Sequence, residues 1–471
     1  MIKRNALCCF VPSLLAMAIA STSQAAASDS NLAGLNFDAN DHQKFVPGLI
    51  VKYRSGSPSL GNTGLITVAA LSQASTAAGV ALIYQRKMTT SGHLLRLPAN
   101  MSMIDAKFMA DRIAQHPDVE YAEPDAMLQH TFVPNDTRYN EQWHYFETTG
   151  GIRAPEAWDI TKGLGAVVAV VDTGYRPHAD LVANILPGYD FITSTTTAND
   201  GNGRDSDAQD PGDWVGWFSC GFNAPANSSW HGTHVAGTIA AVSNNGLGVA
   251  GVAHAAKVVP ARVLGKCGGA LSDISDAIIW ASGGTVAGVP ANANPADVIN
   301  MSLGGSGACP ATMQTAIDGA VSRGTLVVVA AGNSNANISG FMPANCNNVV
   351  AVAATNRVGA RASYSNYGAL ADVASPGGET ATTANGVLST LNAGTKGPTT
   401  DSYKHYQGTS MAAPHVAGVA ALMFAVKPTL TPATTESLLK SSARAFPGTC
   451  SQCGSGIVNA QAAVQAAQAQ P

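Results

Sequence analysis

The chain has 471 residues, of which 12% are charged, with 26 Lys and Arg against 30 Asp and Glu and a formal net charge of −4. Binding to nucleic acid needs clustered cations, so this composition excludes a polyanion-binding protein. A hydrophobic fraction of 46% excludes a disordered chain. The length predicts one large domain with accessory segments.

The first residues have the pattern of an export signal. Lys3 and Arg4 precede an apolar run of about fifteen residues, and small residues at 23–27 offer cleavage sites. A membrane anchor is the alternative, but a span needs roughly 20 apolar residues. We therefore predict a signal peptide over residues 1–27, a secreted mature protein, and no later stretch long and apolar enough to span a membrane.

Cysteines are the next informative residue type. Of eight in total, Cys8 and Cys9 lie in the signal peptide, and the remainder are Cys220, Cys267, Cys309, Cys346, Cys450 and Cys453. An even set in an exported chain predicts disulfides, although spacing alone leaves their pairing open. Cys450-x-x-Cys453 lacks the second CxxC or nearby His of a zinc site and the βαβ surroundings of a redox motif.

A small α+β unit is predicted directly behind the signal peptide, over residues 28–132. In it, "GLIVKYR" predicts a strand, "MIDAKFMADRIAQHP" an amphipathic helix that ends at a proline, and "DVEYAEPD" a closing strand. Such a unit is either an ordinary N-terminal domain or a removable pro-segment. Its position leaves both interpretations open.

From residue 133 onward, strands and helices alternate. Continuous apolar runs at 166–172, 257–264, 297–303, 325–332 and 349–355 are typical of strands buried on both faces. Helical patterns such as "THVAGTIAAV" and "SDISDAIIWAS" lie between them. We therefore predict an α/β fold with a doubly wound parallel sheet, helices on both faces, and ligand chemistry beyond the carboxyl ends of the strands.

Four polar residues stand at predicted strand ends or helix starts: Asp172, His231, Asn333 and Ser410. Each has an ordinary structural interpretation as a helix cap or turn residue. Together they have the types that nucleophilic catalysis needs: a base oriented by a carboxylate, a hydroxyl nucleophile at a helix start, and an amide that stabilises an oxyanion. The coincidence of all four favours catalysis.

Three other motifs resemble known functional motifs but lack the context or spacing that those functions need. "GLGVAG" (246–251) matches GxGxxG but follows a helix and precedes a strand, the reverse of a dinucleotide site. His231 and His234 lack the HExxH spacing of zinc peptidases. Ser410 lies in Gly-Thr-Ser-Met-Ala, which is not the GxSxG elbow of lipases.

The blocks "AVVDTGYRPHADL", "HGTHVAGT", "VINMSLGG", "VVVAAGN" and "GTSMAAPHVAG" occur in order across most of residues 133–460. In these blocks the chain resembles the subtilisin-like serine proteases, in particular the secreted Gram-negative branch. The order Asp, His, Ser is itself a known property of that family. A sedolisin-type acid peptidase is a rival, but it needs carboxylates at the positions of His231 and Asn333. A pseudoenzyme that only binds peptides is another alternative, but it would lack one member of the triad, and none is missing here.

The resemblance implies a role for each matching residue. Asp172 would orient His231, which acts as general base and then acid, and Ser410 would form an acyl-enzyme. Asn333, with the Ser410 backbone N–H, would stabilise the oxyanion. Substrate would lie as an added strand along the remaining set, Ser302, Leu303, Gly304, Ala330, Ala331 and Gly332. His234 would be structural.

The resemblance also implies how the precursor is organised. Residues 28–132 would be an inhibitory propeptide that acts as intramolecular chaperone and inhibitor, with self-cleavage near 131–133. Residues 133–471 would be the catalytic domain, which we expect to be a monomer acting on polypeptides. The disulfides implied are Cys220–Cys267, Cys309–Cys346 and Cys450–Cys453.

Calcium is the cofactor that the resemblance implies. Asp180 and Asn245 fall on positions that bind it in many members, and Asp136 and Gln142 would contribute from the N-terminal segment of the catalytic domain. The loop at 200–213, with Asp205 and Asp207, offers hard oxygen ligands. It is either a second calcium site or a solvated acidic surface loop.

Overall fold

The chain divides into two compact units, Met1–Met127 and Leu128–Pro471, in a computed structural model that describes residues 46–126, 132–221 and 224–471. Each unit has its own hydrophobic core, as expected of a domain. The boundary between the units lies a few residues before the predicted division at 132/133. The predicted signal peptide, the first part of the predicted propeptide and Thr131 lie outside the described residues.

The first unit is a four-stranded antiparallel sheet in the order β2-β3-β1-β4 with two helices. Its elements are β1 (Val46–Tyr53), α1 (Val68–Ala78), β2 (Ile83–Lys87), β3 (His93–Met101), α2 (Met103–Ala114) and β4 (Val119–Pro124). On α2 the buried residues Ala106, Ala110 and Ile113 recur at helical spacing, which places one face of the helix in the core. The sequence predicted β1, α2 and β4 but not the elements between them.

The second unit follows the predicted alternation of strands and helices, and its α/β class is confirmed. Its elements are α3 (Trp143–Phe146), α4 (Ala154–Trp158), β5 (Val167–Asp172), β6 (Tyr189–Asp190), α5 (Thr195–Ala198), α6 (His231–Ala240), β7 (Lys257–Arg262), α7 (Leu271–Ala281), β8 (Val298–Met301), β9 (Gly305–Ser306), α8 (Ala311–Ser322), β10 (Leu326–Ala330), β11 (Phe341–Met342), β12 (Val350–Thr355), β13 (Val373–Pro376), β14 (Val387–Asn392), β15 (Asp401–Tyr406), α9 (Thr409–Val426), α10 (Pro432–Ser441) and α11 (Ala460–Gln468).

The main sheet has seven strands in the order β13-β12-β10-β8-β5-β7-β6, and every neighbouring pair is parallel. Two short antiparallel pairs, β9–β11 and β14–β15, lie outside it. Strand β5 lies between β7 on one side and β8 on the other, and the chain crosses over β5 as it passes from β7 to β8. Parallel sheets open a crevice at the carboxyl ends of the strands at such a point, so this topology places the loops after β5 and β8 beside each other.

Strand β5 shows why the sheet is covered on both faces. Val168 and Val170 belong to one hydrophobic cluster, which α6, α9 and α11 complete. Ala169 and Val171 belong to another, which α7 and α8 complete. Since successive side chains of a strand point to opposite faces, an unbroken apolar run requires a core on each side.

Helix α9 corrects one prediction. It has 18 residues and a mean hydropathy of 1.5, which make it long and apolar enough to cross a membrane by length and composition. In the structure, 83% of it is buried inside the second unit. A helix surrounded by protein is apolar on all sides for the same reason as a membrane span, so hydropathy alone does not separate the two.

The described part of the chain contains three disulfides, and they are the pairs that the resemblance implies. The Cα atoms lie 5.3 Å apart in Cys220–Cys267, 5.1 Å in Cys309–Cys346 and 5.7 Å in Cys450–Cys453. These distances are ordinary for disulfides. The first ties the loop before α6 to the turn that follows β7, at the same edge of the sheet as the predicted site.

Candidate active site

The four predicted catalytic residues stand where strands end and helices begin. Asp172 is the last residue of β5, His231 the first of α6, and Ser410 the second of α9. Asn333 follows β10 by three residues. Strand ends and helix starts converge at one edge of a doubly wound sheet, so residues far apart in the chain meet there.

Asp172 and His231 form a close pair. Nδ1 of His231 lies 2.8 and 2.9 Å from the two carboxylate oxygens of Asp172. The carboxyl group is fully buried, and one of its oxygens also accepts the Thr173 N–H at 2.7 Å. The Thr173 hydroxyl in turn accepts the Gly232 N–H at 3.0 Å, which fixes the start of α6 against the end of β5.

The electrostatics of His231 favour a protonatable imidazole. Burial lowers the pKa of His231, but the Asp172 carboxylate opposes this by charge and hydrogen bond, and Asp213 and Asp210 add to it. The net effect is a pKa raised above the usual value. With 22% of its side chain exposed, the imidazole remains accessible from solvent.

Ser410 lies in the first turn of α9 with its hydroxyl engaged elsewhere. Its Oγ donates to the Ser302 carbonyl oxygen at 3.1 Å, and within the described ranges it forms no hydrogen bond with His231. The Ser302 hydroxyl donates to the Ser410 carbonyl oxygen at 2.9 Å and accepts from Asn300 at 3.0 Å. The segment after β8 therefore holds both the main chain and the hydroxyl of Ser410.

Asn333 is held at the start of α9 by its side-chain amide oxygen. Its Oδ1 accepts from both the N–H and the hydroxyl of Thr409, each at 2.9 Å, so Nδ2 points away from Thr409. A Cβ placed on Gly408 would lie 3.5 Å from Nδ2 of Asn333 and 3.6 Å from the Ser410 nitrogen. The two nitrogens thus lie near the same point, where residue 408, a glycine, places no side chain.

The predicted substrate-binding segments flank this point. Ser302, Leu303 and Gly304 follow β8, while Ala330 ends β10 and Ala331 and Gly332 follow it. In the described part of the chain, no backbone hydrogen bond of turns, loops or caps uses Leu303 or Gly304. Their main-chain groups are therefore free to pair with an extended peptide.

His234, one turn after His231, lies in a different environment. It is fully buried, and its Nε2 lies 3.1 Å from the Val387 carbonyl and 3.0 Å from the Lys404 carbonyl. Its ring stacks on Tyr406 with the centroids 4.7 Å apart. Burial lowers the pKa of His234 to about 3. These contacts connect α6 to the β14–β15 hairpin.

The first set of predicted calcium residues meets around the loop at 243–249. Asp180 accepts from Asn245 at 2.7 Å and from the Val249 N–H at 2.8 Å, and Asp136 accepts from the Asn244 N–H at 2.7 Å. Within the ranges described, Oδ1 of Asp136 is buried without a hydrogen-bond partner. Burial raises the pKa of both carboxyl groups, and a cation would offset that cost.

Other predicted ligands are not brought to a metal site. Gln142 is occupied on both side-chain atoms by the main chain of Ala250. Asp205 and Asp207 accept hydrogen bonds within their own loop, from the Asp207 and Gln209 N–H groups respectively. Across the described residues, no group of three or more His, Cys, Asp or Glu is arranged to hold a metal.

Comparison with known proteins identifies the family. The profile of the Subtilase family matches residues 163–456, more than half of the chain. The chain is a subtilase. The matched region includes all four candidate catalytic residues and the main parallel sheet.

Individual relatives support the assignment to this family. The subtilase is 57% identical over 437 residues to an extracellular protease of Xanthomonas campestris, covering 91% of the chain and 73% of that relative. It is 46% identical over 431 residues to an extracellular basic protease of Dichelobacter nodosus, covering 88% and 70%. A solved protease structure from Pseudoalteromonas arctica shares 64% identity with a TM-score of 0.71, covering 71% of the chain and all of that structure. The subtilase is a secreted serine endopeptidase.

Two supporting residues were not predicted from the sequence. Thr409 orients the Asn333 amide, and Thr173 connects the end of β5 to the start of α6. Each directly precedes or follows a predicted catalytic residue, so the signal available was adjacency alone. Their roles depend on partners 76 and 59 residues away, which spacing does not reveal.

Proposed function

We propose that the subtilase cuts peptide bonds with Asp172, His231 and Ser410 as its catalytic triad. The observation that carries this proposal is the contact of His231 Nδ1 with both Asp172 oxygens, at 2.8 and 2.9 Å. With Nδ1 held by the carboxylate, Nε2 is the nitrogen that accepts a proton, and Asp172 stabilises the imidazolium that results.

The reaction begins when the Ser410 hydroxyl leaves the Ser302 carbonyl and turns to His231. Nε2 takes the hydroxyl proton while Oγ attacks the peptide carbonyl. The oxyanion forms in the space between Asn333 Nδ2 and the Ser410 N–H, where donors fixed in advance act most strongly. His231 then gives its proton to the departing amine, and water hydrolyses the acyl-enzyme by the same steps in reverse order.

We propose that polypeptide substrates bind in extended form. One side of the peptide pairs with the main chain of Ser302, Leu303 and Gly304, and the residue before the cut lies against Ala330, Ala331 and Gly332. The unused main-chain groups of Leu303 and Gly304 support this arrangement. Backbone pairing is indifferent to side chains, so it suits an enzyme that accepts many sequences.

We propose a precursor with a signal peptide at residues 1–27, an inhibitory propeptide at 28–132 and a monomeric catalytic domain at 133–471. The antiparallel unit with its own core supports a separately folding propeptide. Self-cleavage near 131–133 then separates it from the catalytic domain, and the propeptide remains as an inhibitor until it is degraded.

Calcium fits one of the two predicted sites. Asp180, Asn245 and Asp136 would hold it, because a buried carboxylate oxygen without a partner is suited to a hard cation. When bound, calcium would supply structural cross-linking of the 243–249 loop and no chemistry at the triad. Asp205 and Asp207 are better described as turn residues of a surface loop.

The substitution Ser410→Ala tests this function. We expect the precursor to fold and to accumulate at its full length after removal of the signal peptide, because the residue that attacks the 131–133 bond is missing. Gel analysis of purified precursor gives the result. Self-maturation of the variant at the wild-type rate would overturn the mechanism.

Inhibitor selectivity of the wild-type protein is a second test of the proposed function. Casein hydrolysis should disappear with a serine-directed covalent reagent and continue in the presence of a zinc-selective chelator. Labelling should occur on Ser410 by peptide mapping. Hydrolysis that survives the serine reagent would point to an acid peptidase or a metallopeptidase instead.

A further inference from the structure

Helix α6 starts without a capping side chain of its own. The residue before it, Trp230, has a left-handed conformation (φ 51°, ψ 32°) and makes no side-chain hydrogen bond to the helix. The first N–H groups of a helix need acceptors from outside it. Here the Ser229 hydroxyl accepts the His231 N–H at 3.3 Å and takes the place of the missing cap.

Asp213 holds Ser229 in that position. One carboxylate oxygen accepts the Ser229 N–H at 2.6 Å, and the other accepts the Ser229 hydroxyl at 2.7 Å. Because the hydroxyl proton is used in this contact, the lone pairs of Ser229 Oγ are left to face the His231 N–H. Hydrogen bonds to an ionised carboxylate are stronger than neutral ones, so the arrangement is rigid.

The β14–β15 hairpin fixes the same turn from the other side. The Ser228 N–H donates to the Thr395 carbonyl at 2.9 Å, and the Trp230 indole N–H donates to the Gly394 carbonyl at 2.7 Å. The turn before His231 is therefore fixed by hydrogen bonds at three consecutive residues, Ser228, Ser229 and Trp230. Of these contacts, only those to Ser229 involve a charged group.

Several charged groups surround His231 and Asp213. The groups that face His231 are Asp172, Asp210 and Asp213, with His234 on the same helix. Tyr406 also interacts with Asp213, and the ammonium groups of Lys266 and Lys396 lie 3.8 and 4.7 Å from the ring centre of Trp214, the residue after Asp213. Asp210 is buried and bonds the Gly212 N–H at 2.8 Å rather than the turn before His231. Asp213 is thus the carboxylate connected to His231 through the main chain.

We propose that Asp213 is a positioning residue for the catalytic base. It fixes the His231 main chain through Ser229, and its negative charge stabilises the imidazolium in addition to Asp172. This inference rests on the proposed function, in which His231 is the base.

The substitution Asp213→Asn tests the charge. Asparagine keeps an oxygen for the Ser229 N–H but removes the negative charge, so protonated His231 becomes less stable and its pKa falls. We expect the acid limb of the kcat/KM profile to move to lower pH. We also expect kcat to fall by roughly 10- to 100-fold with little change in KM, because the imidazole is held less well.

The substitution Ser229→Ala separates the contact from the charge. It removes the hydroxyl between Asp213 and the His231 N–H and leaves the carboxylate in place, so kcat should fall without movement of the acid limb. The matched control is Asp318→Asn, an equal change of charge on α8, where Asp318 bonds Gln314 and Asn348. The control should retain the wild-type profile and kcat.

The outcomes distinguish this inference from the proposed function. Failure of wild-type Ser410 to react with a serine-directed reagent would overturn the proposed function whatever Asp213 does. Wild-type labelling together with Asp213→Asn and Ser229→Ala profiles that match Asp318→Asn would overturn the role of Asp213 alone. If Asp213→Asn fails to fold, an unchanged kcat in Ser229→Ala overturns it equally.

Discussion

The entrances and the interiors of α6 and α9 show how one pair of helices serves two purposes. Each helix presents a proposed catalytic group in its first turn, His231 on α6 and Ser410 on α9. Each then buries a histidine further along, His234 on α6 and His415 on α9. The entrances lie beside loops at the carboxyl edge of the sheet, and the interiors lie in the core.

The difference teaches that surroundings, not residue type, decide what a histidine does. Burial lowers the pKa of His234 to about 3 and that of His415 to about 4. In His231 the nearby carboxylates outweigh burial and raise the pKa. The interior histidines stay neutral and form hydrogen bonds, while the entrance histidine is the one that the proposed mechanism uses to exchange a proton.

The substitutions His231→Ala and His234→Ala should give the largest difference in effect between the entrance and the interior of α6. Loss of His231 should reduce kcat by roughly 10⁶-fold, the range known for the corresponding histidine of subtilisin, with little change in thermal stability. Loss of His234 should instead lower the free energy of unfolding by about 2–4 kcal/mol, because it leaves a cavity and two carbonyls without a donor. Rates of Ser410 labelling and thermal unfolding curves measure the two effects.

Two results would contradict these different roles for His231 and His234. If His234→Ala retained full stability but lost reactivity at Ser410, the interior histidine would have a catalytic role. If His231→Ala matured normally, the entrance would not contain the base.

Asn333 and Thr409 give the next largest effect. Asn333→Ala should lower kcat by about 10²- to 10³-fold with unchanged KM, the range known for the corresponding asparagine of subtilisin. Thr409→Val should have a smaller effect in the same direction, because it removes the hydroxyl that orients the Asn333 amide and leaves the amide present. Steady-state kinetics on a small peptide substrate measure both.

Thr409→Ser is the matched control for orientation. It keeps the hydroxyl, so it should restore kcat toward the wild-type value. An equal loss in Thr409→Val and Thr409→Ser would show that the methyl group, through packing, matters more than the hydrogen bond to Asn333.

Much of this organisation could be predicted from the sequence. Apolar runs such as that of β5 specify buried parallel strands, because few other structures accept them, and polar residues at their ends then fall at the site. The β14–β15 hairpin was not predicted, and neither was the contact of Asp213 with Ser229. Both depend on tertiary pairing between segments that carry no periodic pattern of their own, so local sequence rules do not reveal them.

Acid stability tests the interior histidines directly. The unfolded chain binds a proton at His415 below a pKa near 6.5, whereas the folded chain does not do so until about pH 4. The free energy of unfolding should therefore fall as pH falls through that window, by about 3 kcal/mol from His415. His231, whose folded pKa is raised, contributes in the opposite direction. Urea denaturation of the Ser410→Ala precursor, which avoids autolysis, gives the slope, and Ser410→Ala with His415→Gln should reduce it. An unchanged slope in the double variant would mean that His415 already titrates normally in the folded state, and that the interior of α9 is less well shielded from water than its packing indicates.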